Sequence, residues 1–146
     1  LTGNAVKDNS SATDSKNSTA KTIDNPIGIE NKIKEVRRIK TEKEEQFTQI
    51  LEKVQKITNF LRSNNVDVSE VEKNTSIFNE KASNVFGAYD KYVGLLKENQ
   101  NAGMPTSDMA QEARRTIGRL TGELVVFSRT TLQENLRLQV KSISNN

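Results

Sequence analysis

Residues 33–61, IKEVRRIKTEKEEQFTQILEKVQKITNFL, decide how this chain folds. Ile33, Val36, Lys40, Lys43, Phe47, Ile50, Val54, Ile57 and Leu61 recur at alternating spacings of three and four, and seven of these nine positions are apolar. Such an alternation is the seam of a helix that buries one stripe against partner helices. It predicts a helix over residues 30–63, about 50 Å long at 1.5 Å per residue. Asn64 and Asn65 are expected to end it, because Asn tolerates the left-handed conformation that closes helices. Two lysines in the seam conflict with burial. Either the first turns of this helix project beyond its partners, or the long lysine stems carry the charge out to water.

Downstream, Val68, Val71, Thr75, Phe78, Ala82, Val85, Tyr89, Tyr92 and Leu96 repeat the spacing and predict a second helix over 67–100. Asp67 is expected to cap its first amides while Glu70 reaches back, and Gly103 supplies the stop. Met104-Pro105-Thr106-Ser107-Asp108 reads as the entry to a third helix, with a hydroxyl cap and an acid in the first turn. Met109, Ala113, Ile117, Leu120, Leu124, Phe127, Thr131 and Leu136 place that helix over 107–142, with a period nearer 3.6 than 3.5. The fold class that follows is all-α: an elongated antiparallel three-helix bundle over residues 30–146.

Upstream, residues 1–29 change character. LTGNAVKDNSSATDSKNSTAKTIDNPIGI is rich in Ser, Thr and Asn, and its three Lys balance its three Asp. A segment of this kind buries too little to offset its ordering entropy, so it reads as a flexible or extended tail or stalk. Ile23, Ile27 and Ile29 are apolar anchors in it, able to dock on the body or on a neighbour.

The whole chain has 146 residues, of which 33% are apolar and 28% charged, with no Cys, His or Trp. That apolar fraction is low for a spherical core and suits long helices that each bury one stripe. Without His or Cys there is no Ser-His-Asp triad, no thiolate nucleophile and no structural zinc site. Scattered carboxylates such as Glu44, Glu45 and Asp90 form no motif. The expectation is therefore no enzyme, no cofactor and no metal. A net charge of +3 falls short of a dedicated nucleic-acid binder, and no aromatic residues are interleaved with the basic ones for base stacking. No apolar run reaches the roughly 18 residues of a membrane span. A membrane connection would need an anchor upstream of Leu1, which is expected to begin either a processed chain or a fragment of a longer one.

Three features bear on partners. Gly118 and Gly122 form a small-xxx-small spacing, and Val125 and Val126 belong to the run Leu124-Val-Val-Phe127, which covers more than one helical face. Either the third helix is the most buried of the three, or this stretch meets another molecule. Lys34, Arg37 and Arg38 on the first helix and Arg114 and Arg115 on the third can contact an anionic surface, although interleaved Glu35 and Glu42 point to ordinary pairing on a solvated face. Asn9, Asn17 and Asn74 each begin an N-glycosylation sequon, two of them in the tail.

The helix start Asn65-Val-Asp-Val-Ser-Glu-Val-Glu72 resembles a recurring pattern in secreted helical proteins of bacteria and archaea. Leu1-Thr-Gly-Asn-Ala-Val6 resembles sequence just after a removed signal segment in archaeal surface proteins. Both resemblances imply an extracellular or cell-surface location. Together with the bundle they lead to an expected role as a structural or assembly subunit, associating with itself or with another surface protein through helix three and the tail. The competing expectation is a monomeric envelope binding or sensing module that uses a basic helical face.

Overall fold

Proline supplies the first helical residue: its fixed φ suits the first turn, and its missing N–H would have no partner there. The computed structural model describes residues 26–144, and its first element, α1, runs from Pro26 to Ser63. The helix thus begins four residues before the expected start, and Ile29 is fully buried inside the bundle. This corrects its assignment to the tail: at spacing four before Ile33 it extends the seam by one turn. Ile23 and the side chain of Ile27 lie outside the described residues, as do Asn9 and Asn17.

The second helix, α2, spans Ser69–Asn101. A third rod follows, built from α3 (Asp108–Phe127), a π-helical turn (Ser128–Leu132) and α4 (Gln133–Ser144). Among the described residues there is no strand, and the architecture is the all-α three-helix bundle.

Both connections close by the same hydrogen-bond pattern. Asn65 adopts φ 61°, Val66 N–H donates to Leu61 C=O at 3.0 Å, and Asn65 N–H donates to Arg62 C=O at 3.1 Å. At the other end Gly103 adopts φ 66°, with Met104 N–H on Asn99 C=O at 2.9 Å and Gly103 N–H on Gln100 C=O at 3.1 Å. These are Schellman closures, which satisfy carbonyls that the helix leaves unpaired.

The helix entries differ from each other. Asp67 accepts from Ser69 N–H at 3.0 Å and Ser69 Oγ–H at 2.8 Å, which holds its carboxyl below the usual range. Glu70 stays exposed, so the expected reciprocal capping by Asp67 and Glu70 is replaced by a tight turn on Ser69. Ser107 does cap α3, accepting from Ala110 N–H at 3.2 Å, and its own N–H donates to buried Asn99 at 2.9 Å.

The core follows the predicted seams. Phe47 on α1 meets Phe78 edge-on at 5.9 Å and Phe86 at 5.4 Å, and Val71, Val85, Tyr89, Tyr92 and Leu96 are buried along α2. Met109 departs from the expectation. It is 66% exposed, and the buried stripe of α3 starts at Ala110.

Further along, Leu124, Ser128, Leu132 and Leu136 are all buried at successive spacings of four. In an α-helix each such step rotates the side chain about 40° off the seam. The wider π-helical turn absorbs that drift and returns Leu132 and Leu136 to the core.

α2 packs against both neighbours, but the third side of the bundle is unequal along its length. No Cα of α1 lies within 8 Å of a Cα of α3, whereas α4 does approach α1. Helices in ordinary contact lie about 8–10 Å apart between axes, which brings facing Cα atoms well inside that distance. The α1–α3 side is therefore open toward the N-terminal ends of both helices and closed at α4.

Candidate functional site

The open side holds two clefts. The upper one, about 690 Å³, has Lys32, Glu35 and Val36 on its α1 wall, Arg114 and Arg115 on its α3 wall, and the ring of Tyr92 from α2 at its floor. Lys32 Nζ donates to Thr106 Oγ1 at 3.3 Å, and Arg115 lies 3.6 Å from Glu112. Arg114 has no ion pair among the described residues. The lower cleft, about 240 Å³, is lined by Lys43, Phe47 and Ile50 of α1, by Thr121 and Val125 of α3, and by Arg129 of the π turn. Thr121 Oγ1 is shielded from water and has no hydrogen-bond partner.

The basic residues singled out from the sequence do not form one face. Lys34 and Arg38 are exposed and fenced by acids: Lys34 lies 3.7 Å from Glu30, while Arg38 grips Glu35 at 2.6 Å and Glu42 at 2.5 Å. The guanidinium holds the Glu35 carboxyl below its ordinary value, and the two carboxylates raise the guanidinium in return. Arg37 lines a different groove, between α1 and α2, together with Lys40, Lys97 and the acids Glu44 and Asp90. Only Arg114 and Arg115 reach the open side, where Lys32 joins them.

The seam lysines are resolved in two ways. Lys40 extends to α2 and donates to Asp90 at 2.9 Å, with Glu44 at 3.8 Å, and the Asp90 hydrogen bond keeps its ammonium group above the ordinary range. Lys43 instead lines the lower cleft. Neither requires α1 to project beyond its partners.

On the third rod, Gly118 and Gly122 are both exposed, and a Cβ added at either would meet nothing within 4 Å. Val126 is 59% exposed, whereas Val125 is half-buried at the lower cleft. The run Leu124-Val-Val-Phe127 is thus divided: Leu124 is in the core, Val125 at the groove and Val126 in solvent, while the ring of Phe127 lies 5.6 Å under Lys81 Nζ.

Asn74 is corrected as a glycan acceptor. It is buried in α2, and its amide donates to Asn135 at 3.4 Å, so this fold has no room for a sugar on that nitrogen.

Tyr92, Thr121 and Arg129 were not legible as site residues. Tyr92 sits at a seam position indistinguishable from core, and Thr121 and Arg129 join the lower cleft only because α1 and α3 stand apart. The one available signal was the four-four-four spacing from Leu124 to Leu136, which marks the turn that carries Arg129.

Among the described residues no helix is long and apolar enough to cross a membrane, and no three acidic side chains are grouped to hold a metal ion. Compared with protein-family models, curated proteins and solved structures, the chain matches none.

Proposed function

We propose that this chain is a non-enzymatic structural subunit of the cell exterior or surface, which assembles with copies of itself through the solvent face of its third rod and through its N-terminal tail. The face formed by Gly118, Gly122 and Val126 carries the reading. Two glycines one turn apart leave room for a second helix backbone, and the exposed valine one turn further offers apolar area to cover. Leu138 on α4, 51% exposed, adds a second apolar point on the same rod. The polar tail and the resemblance of its start to surface proteins support the exterior location.

Sedimentation velocity of the full chain over a concentration series tests the proposal. The expected result is a sedimentation coefficient that rises with concentration and returns to the monomer value in the Gly122→Arg, Val126→Glu double variant. Arg is the better helix former by about 1 kcal/mol, so that variant keeps its fold. Replacing Ile23 and Ile27 with Asp is expected to weaken association further. A strict monomer at every concentration, with no filament or lattice in native material by electron microscopy, overturns the proposal.

A further inference from the structure

We propose that the lower cleft between α1 and the third rod binds the phosphate group of a small soluble compound, either inorganic phosphate or a phosphomonoester. The site is independent of the self-association face described above. Its two cations are the first argument. Lys43 comes from α1 and Arg129 from the π turn, and no Asp or Glu lines the cleft with them. Nor does either helix neutralise its own cation: no acid stands three or four residues from Lys43 or from Arg129 in either direction. Glu134, five residues beyond Arg129, is held by Arg137 at 3.1 Å. Among the described residues neither Lys43 nor Arg129 has an ion pair. Lys40 shows the usual outcome for a charge at a seam position, since its ammonium crosses to Asp90 at 2.9 Å. Lys43, half-buried at the next seam position, has only the cleft.

The Thr121 hydroxyl is a second and independent observation. A helical Thr commonly donates to the carbonyl four residues back. Thr58, Thr75, Thr116 and Thr130 all do so, at 2.7 to 3.0 Å. Thr121 makes no such bond, although its Oγ1 is shielded from water and it lies in the cleft wall. A shielded hydroxyl without an acceptor costs stability, and an anion oxygen in the cleft would accept from it. The side-chain amides of Gln46 and Gln133, also in the lining, add neutral donors.

Two cations without an acid match a group that carries about −1.5 to −2 charges at neutral pH and offers several acceptor oxygens. A single carboxylate leaves one of the cations unmatched. The volume, about 240 Å³, lies below the roughly 300–1,000 Å³ of sites for drug-sized ligands, which sets the compound as small. The larger upper cleft lacks this donor set, because Glu35 stands in its wall and Arg115 is paired with Glu112 at 3.6 Å.

Titration of inorganic phosphate into the ¹⁵N-labelled full chain, at ionic strength held constant with sodium chloride, tests the site. Saturable amide shifts are expected around Lys43, Thr121 and Arg129, with glycerol 3-phosphate shifting the same set. The Lys43→Gln, Arg129→Gln double variant should lose about tenfold or more in affinity, since a hydrogen bond to a charged group is worth more than a factor of ten. Thr121→Val should weaken binding and Thr121→Ser retain it, while Arg38→Gln, outside the cleft, should titrate as the unmodified chain does. Far-UV circular dichroism establishes that each variant remains helical. Absence of saturable shifts overturns the proposal, as does unchanged affinity in the double variant or equal binding of acetate. Binding to phosphatidic acid vesicles without any response to inorganic phosphate assigns the cations to a lipid surface and overturns it too.

Discussion

The two sides of α1 are built from one repeating pattern yet have different fates. Toward α2 its seam is closed: Phe47 meets Phe78 edge-on and Phe86 at a tilt, and Lys40 reaches across to Asp90. Toward α3 the same helix faces a gap, with Lys32 and Lys43 on one wall and Arg114, Arg115 and Arg129 on the other. The difference shows that seam periodicity sets which stripe of a helix turns inward, while the spacing between helices sets whether the edges of that stripe are filled. Where the neighbour is near, a polar seam position such as Lys40 finds a partner across the interface; where it is far, cations of both helices line the cleft above a floor that is itself buried.

The comparison is most strongly tested by truncating a side chain on each side. Phe78 is fully buried against Phe47, beneath the lower cleft, and Phe78→Ala should cost about 3–5 kcal/mol in chemical denaturation, the range for emptying an aromatic core site. Val125→Ala at the open groove should cost under about 1 kcal/mol, because a half-exposed methyl pair leaves no sealed cavity. Comparable losses at the two sites would mean that α1 and α3 are packed together in solution.

A smaller effect is expected at the two threonines that face the interior. The Thr58 hydroxyl donates to Val54 C=O at 2.7 Å, whereas the Thr121 hydroxyl has no partner. Thr121→Val is expected to be neutral or stabilising by up to about 1 kcal/mol, since it removes a desolvated unpaired group. Thr58→Val should be neutral to mildly destabilising in the same assay. A clear loss on Thr121→Val would show that its hydroxyl is satisfied in solution.

The finest test is alkaline. Burial at the closed seam pushes the Tyr89 phenol above its ordinary value, so the unfolded chain loses this proton first as pH rises. Its contribution is complete below about pH 10 and is lost as pH climbs through the raised folded value. Unfolding free energies measured across that range should fall less steeply for Tyr89→Phe than for the unmodified chain. An unchanged slope would mean that the phenol is solvated in the folded state.

Much of this was legible in the sequence because it depends on neighbours close in the chain. Five of the nine seam positions of the first helix and eight of the nine of the second are buried and the rest partly so, Asn65 and Gly103 take the left-handed turns, and Ser107 caps α3. The misreadings have physical causes of their own. Ile29 read as part of the polar tail, although the proline three residues before it is well suited to start a helix. Met109 was one position out of phase at a helix start, where the periodicity has little length to set it. Asn74 is a sequon by pattern and a core residue by position.

The interaction surfaces were less legible. Arg37, Arg38, Arg114 and Arg115 read as neighbours in sequence pairs, yet Arg37 faces α2, Arg38 is fenced by Glu35 and Glu42, and Arg114 and Arg115 share a cleft with Lys32.

The chain by itself determined three amphipathic helices, the residues that stop them and the stripe that each one buries, because these follow from local geometry and from the repeat of side chains around a helix. Only the tertiary structure decided that α1 and α3 stand apart until α4 brings the bundle together, and which side chains of the two helices line the clefts between them. Helix-to-helix distance comes from how all the side chains of three rods fit at once, including one π turn that changes the phase of the last, and no periodicity within a single rod encodes it.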